Sequence, residues 1–169
     1  MIYSANPAGD TFGQPNLGAL DSGNTAIWNA TLATLAPGSI SGSRYVFAYQ
    51  PTLNVSTVDF SKTYHTTLTS ADAPFAVSGY QPGVSGAFLG DTGATAFAGR
   101  PLIDSAGFAK LATVAGSPYA TTIGLGTLTS NAGYAFALSS PGLLTVNPVQ
   151  QPAQIAAPAS AIDDRNGTP

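Results

Sequence analysis

Residues 97–146, FAGRPLIDSAGFAKLATVAGSPYATTIGLGTLTSNAGYAFALSSPGLLTV, decide how this chain folds. They divide into short extended runs, Arg100–Ile103, Phe108–Val114, Thr121–Leu128, Tyr134–Leu138 and Leu143–Val146, with turn chemistry between each pair. Asp104-Ser105-Ala106-Gly107 turns the chain after the first run, because Asp and Ser bond their own backbone and Gly accepts a positive φ. Phe108–Val114 alternates Phe108, Lys110, Ala112 and Val114 against Ala109, Leu111 and Thr113, the period of a half-exposed strand. Gly116-Ser117-Pro118, Thr129–Gly133 and Ser139-Ser140-Pro141-Gly142 supply the remaining breaks. Short strands at such spacing predict a mainly β fold, a small antiparallel β-barrel or sandwich.

Upstream, Arg44–Tyr49 is aromatic and β-branched and predicts a strand ending at Pro51. Leu53–Tyr64 predicts one long strand or two, and Phe75–Tyr80 another. Ser85–Phe97 is small and Gly-rich, consistent with tight loops or close strand packing. Asn24 reads as a helix N-cap before Ile27, Trp28, Thr31, Leu32 and Leu35, closed by Pro37-Gly38, so one short helix is expected over residues 24–36 with Trp28 anchoring it. The β-rich domain then spans residues 24–146. Residues 1–23 carry spaced apolar side chains among Gly, Pro and polar residues, which predicts an extended N-terminal arm. Residues 147–169 are Pro-rich, favour extended backbone and predict a second arm.

Charged residues are only 8% of 169, there is no Glu, and the basic set is Arg44, Lys62, Arg100, Lys110 and Arg165. An ordinary soluble chain carries about a quarter charged residues, so much of this surface is expected to meet other protein. A net charge of −3 with scattered bases argues against nucleic acid, which needs clustered Lys and Arg to release counterions. No apolar run reaches membrane-spanning length, and the start lacks the pattern of a signal peptide. The absence of Cys rules out disulfides and thiolate chemistry and fits synthesis in a reducing cytoplasm.

Few residues are candidates for chemistry. Asp91-Thr92-Gly93-Ala94 resembles the catalytic loop of retroviral-type aspartic proteases, where two chains each supply one Asp. Gly90 breaks the apolar lead-in, Thr122-Ile123-Gly124 comes too early to be the bracing strand, and Asp-Thr-Gly is also an ordinary turn. His65 is the single histidine and has no readable triad around it. Gly83–Ala87 lacks the last Gly of a nucleophile elbow. Asp163, Asp164 and Asn166 could hold calcium but have no further acids nearby. Gly124-Leu125-Gly126 lacks the third Gly of a dinucleotide loop. Tyr45, Phe47, Tyr49 and Tyr64 could line a glycan-binding face, though alternate strand positions more simply make core. No catalytic residue, cofactor, metal or small-molecule substrate is therefore expected.

The order of turns resembles the small β-rich cement, or decoration, proteins of tailed-bacteriophage capsids. The matching residues are Gly99, Asp104, Gly107, Lys110, Ile123-Gly124, Gly133, Gly142 and Val146, covering roughly the C-terminal third. That resemblance implies a virion structural protein, made in the host cytoplasm, that self-associates as a homotrimer over the major capsid protein. Partner-binding residues are then expected on the arms: Ile2, Tyr3, Phe12, Leu17 and Leu20 on the first, Val149 and Ile155 on the second. The alternatives are another virion or surface part, such as a fibre, tail component or adhesive domain, and the homodimeric aspartic protease.

Overall fold

The computed structural model describes residues 1–12 and 20–150; Leu17 and Ile155 lie outside the described residues. Twelve short strands follow in chain order: β1 (Ile2–Ser4), β2 (Tyr45–Phe47), β3 (Thr52–Thr57), β4 (Phe60–Thr63), β5 (Phe75–Ser78), β6 (Phe97–Ala98), β7 (Leu102–Asp104), β8 (Tyr119–Ala120), β9 (Thr122–Gly124), β10 (Thr129–Ser130), β11 (Ala135–Ser139) and β12 (Leu143–Asn147). The fold is mainly β, as the turn spacing predicts. Among the described residues the strands form several small sheets, orders β1-β2, β11-β3-β5, β4-β12-β8, β7-β9 and β10-β6, that do not close into a barrel. Nor is the pairing purely antiparallel: β1 with β2, β3 with β11 and β4 with β12 are parallel.

Two kinked strand pairs make the spine. β3 runs into β4 through Val58-Asp59, β11 runs into β12 through Ser140–Gly142, and the two runs lie side by side in parallel. Their kinks are locked together by side chains. Thr57 Oγ1 accepts from the Gly142 N–H at 2.9 Å, and the Thr121 hydroxyl lies 2.7 Å from the Gly142 carbonyl and 2.9 Å from Thr57 Oγ1. Asp59 Oδ1 accepts from the Leu143 N–H at 2.8 Å. Gly142 is required here, because a Cβ would sit 2.6 Å from the Val58 backbone. Buried Thr57 and Thr121 are thus paired with each other and with backbone, as buried polar groups must be.

Period-two burial along β3 sends Leu53, Val55 and Thr57 inward, and β12 sends Leu144 and Val146. A fully buried aliphatic side chain contributes about 1.5–3 kcal/mol, so these strands carry much of the stability. The larger core is aromatic: Trp28 stacks on Phe47 with centroids 5.0 Å apart and meets Tyr134 and Phe88 edge-on. A second core gathers Ala73, Ile103, Phe108 and Leu144.

Three local expectations are corrected. Residues 24–36 form no helix; the one α-helix among the described residues is Gly93–Ala96. Ile27 bridges Val46 in parallel, with its N–H donating to Tyr45 O at 2.9 Å and its carbonyl accepting from Phe47 N at 2.8 Å. Asn29 then takes φ 52°, and Thr31–Leu35 makes a single turn. Burying Trp28 against Phe47 outweighs a helical propensity already weakened by Thr31 and Thr34, and Leu32 is left 59% exposed. Phe108–Val114 is not a strand either: a 3-10 turn over Ala106–Phe108, with Ser105 Oγ accepting from Gly107 N, buries Phe108 and leaves Lys110 and Leu111 outside.

The third correction concerns the first arm. Residues 1–12 lie on the chain's own body: β1 pairs with β2, Ile2 and Phe12 pack against the aromatic core, and the Tyr3 hydroxyl donates to the Leu35 carbonyl. Phe12 contacts Tyr45 and Phe88 edge-on at 5.6 and 5.7 Å. A spaced apolar residue looks the same in sequence whether it serves its own core or a neighbour's; here Ile2 and Phe12 serve their own.

Candidate interaction surface

Asp91 sits at the junction of the loop after Phe88 and the Gly93–Ala96 helix. Its Oδ2 accepts from Trp28 Nε1 at 2.8 Å and from the Tyr134 hydroxyl at 2.7 Å. The Tyr134 oxygen in turn accepts from the Gln81 N–H at 2.8 Å. Burial first, then the hydrogen bond to Asp91, raise the Tyr134 pKa well above the ordinary tyrosine value. The protease-like Asp-Thr-Gly therefore ties the aromatic core to three separate segments. The carboxylate that such a catalytic loop would aim at a partner chain is aimed inward at Trp28 and Tyr134.

The other chemical candidates are scattered. His65 is exposed in the turn after β4, at φ 70°, with Tyr64 edge-on at 4.2 Å. Lys62 on β4 is buried, and its Nζ donates to Thr66 O at 2.8 Å and Ala109 O at 2.6 Å; burial lowers its pKa. It staples two loops together. Of the four aromatic residues read as a possible glycan face, Tyr45 and Phe47 belong to the core, Tyr64 is half-buried and Tyr49 is 40% exposed. No group of three acidic or histidine residues able to hold a metal occurs among the described residues, and Asp163, Asp164 and Asn166 lie outside them. None of the described helices is long and apolar enough to cross a membrane.

What the folded body does present is bulky aliphatic surface. Leu20, Leu32, Leu89, Leu102, Leu111 and Val149 are each more than half exposed. Of the arm residues expected to bind partners, Leu20 and Val149 are in this set, whereas Ile2, Tyr3 and Phe12 are half-buried against the chain itself. Leu102 lies on β7, opposite Gly124 of β9, with the half-exposed Leu125 just past the end of β9, and an open recess of about 220 Å³ runs beside Leu102 between Ser70, Arg100 and Gly126. Arg100 brings a positive charge to the wall of this recess; it donates to Ala71 O and Ala73 O and lies 5.2 Å over the Phe75 ring. These body leucines were missed by reading arms alone. Their signal is the alternation itself: Ile103 points inward, which puts Leu102 outside. No protein-family model, curated protein or solved structure matches this chain.

Proposed function

We propose that this protein is a non-catalytic virion component that binds a phage capsid as a cement or decoration protein and associates with copies of itself, as a trimer, over the major capsid protein. The observation that carries the reading is bulky exposed aliphatic side chains on a chain with only five Lys and Arg and eight Asp in 169 residues. Single exposed leucines are ordinary on soluble proteins; leucines without the usual surrounding charge are characteristic of surfaces that become covered. Each contact is modest, and repetition across a lattice raises the effective concentration of the rest.

Within this reading, binding belongs to the body as well as to the C-terminal segment. Leu102 and the recess it lines form one docking patch, with Leu111, Leu125 and Val149 as further contacts. Co-sedimentation of the purified chain with empty shells of a major capsid protein tests it. The expected result is saturable binding at a fixed ratio to the shell subunit, lost when Leu102 and Leu111 are changed to Asp. Absence of binding to shells, with the chain folded, overturns it.

A further inference from the structure

We propose that the outer edge of β11 receives residues Ala153–Ala157 of a second copy of this chain as an added strand. The proposal deepens the self-association in the preceding section and rests on that reading.

β11 is bonded on one side only. Ala135 donates its N–H to Pro51 O at 2.9 Å, toward β3, so backbone alternation turns the N–H groups of Phe136 and Leu138 away from it. Those groups have no backbone partner among the described residues. Ala137, Leu138 and Ser139 are exposed. At the opposite edge of the same sheet, Pro74 immediately precedes β5 and Arg100 lies over its Phe75 ring. Ala-Phe-Ala-Leu-Ser has no charge, no proline and no bulge, which is the form of edge that accepts another strand.

The chain also contains a segment suited to this edge. Ala153-Gln154-Ile155-Ala156-Ala157 is a five-residue run between Pro152 and Pro158, the same length as β11. The flanking prolines cannot extend a ladder, so the added strand is limited to that run. In a pairing offset by one residue, Ile155 would lie opposite Leu138 and share the Phe136–Leu138 face.

Reach favours a second copy over the chain's own segment. β12 continues in the direction of β11 and ends at Asn147 beside Thr63, the far end of the spine. Returning past β12 requires about 17 Å for its five residues, plus the Ser140–Gly142 connection. The six residues from Asn147 to Ala153 span at most about 20 Å when fully extended. A strand donated from one copy to the next is a head-to-tail contact, which closes into a ring such as a trimer when its rotation permits.

The absence of Cys allows a clean test. The full chain carrying Leu138→Cys and Ile155→Cys is treated with a short bis-maleimide at concentrations where the parent self-associates. The expected product is covalent dimer and trimer, and each single-cysteine variant should yield far less. Separately, Ile155→Pro should weaken self-association about tenfold, the effect of losing one or two net hydrogen bonds, with an unchanged melting temperature. Cross-links confined to monomer, no cross-linking, or a parent chain that is monomeric throughout overturns the proposal. Shell binding that survives such a result leaves the capsid reading standing and removes only this inference.

Discussion

Trp28 Nε1 lies 2.8 Å from Asp91 Oδ2, joining residues 63 positions apart through the same oxygen that accepts from Tyr134. The bond holds the indole in its stack on Phe47 and fixes the loop that precedes the only described α-helix.

Changing Asp91 to Asn keeps an acceptor oxygen but removes its charge, and should cost about 1–2 kcal/mol. Asp91→Ala strands two donors and should cost about 2–4 kcal/mol. Urea melts followed by Trp28 fluorescence measure both. Under the capsid reading, Asp91→Asn leaves shell binding unchanged; a protease would lose all activity.

Stability should fall in alkali, for a reason that can be signed. The pKa of Tyr134, and of Tyr45, is raised above the ordinary 10.0 in the fold. The unfolded chain therefore loses these protons first, and stability present below about pH 10 is lost as pH rises beyond it. Lys62 acts with the opposite sign: its lowered pKa makes the unfolded chain bind more protons, so its contribution rises with pH up to the ordinary 10.5. Tyr134→Phe should flatten the alkaline fall, and Lys62→Met should remove the rise that precedes it, both read from melts between neutral pH and about pH 11.

The kink of the spine depends on Thr57. Thr57→Val keeps the volume but leaves the Gly142 N–H without its acceptor, which should cost about 1–3 kcal/mol. Thr57→Ser retains the hydroxyl and should recover most of that difference in the same melts.

Surface and core leucines should separate cleanly. Leu102→Asp and Leu111→Asp lie outside the core and should alter stability by no more than about 0.5 kcal/mol. Their combined effect on shell binding should be about tenfold or more. Leu53→Ala, at 0% exposure, should cost about 2–5 kcal/mol and unfold the spine before binding can be measured.

Legibility followed the range of the forces involved. The runs at 44–49, 75–80, 134–138 and 143–146 were readable as strands because alternation and flanking Gly or Pro are local signals. The break of 53–64 into β3 and β4 was half readable, since Val58-Asp59 is no strong breaker; it becomes one through Gly142, more than eighty residues away. The helix expected at 24–36 failed because its apolar stripe also fits an extended segment, and only Phe47 and Tyr134 make that alternative better.

From its residues alone, then, this chain is mainly β, poor in charge, without Cys, and turned by glycines whose positions the fold uses. Gly133 shows what lay beyond that reading: its φ of 93° is a local preference, but a Cβ there would collide with the Trp28 carbonyl, a neighbour set by packing. Which strands pair in parallel, that Ile2 and Phe12 serve their own core, and that Asp91 faces Trp28 were decided by tertiary structure. Each is a choice among locally equivalent conformations, and only contacts distant in sequence supply the free energy that separates them.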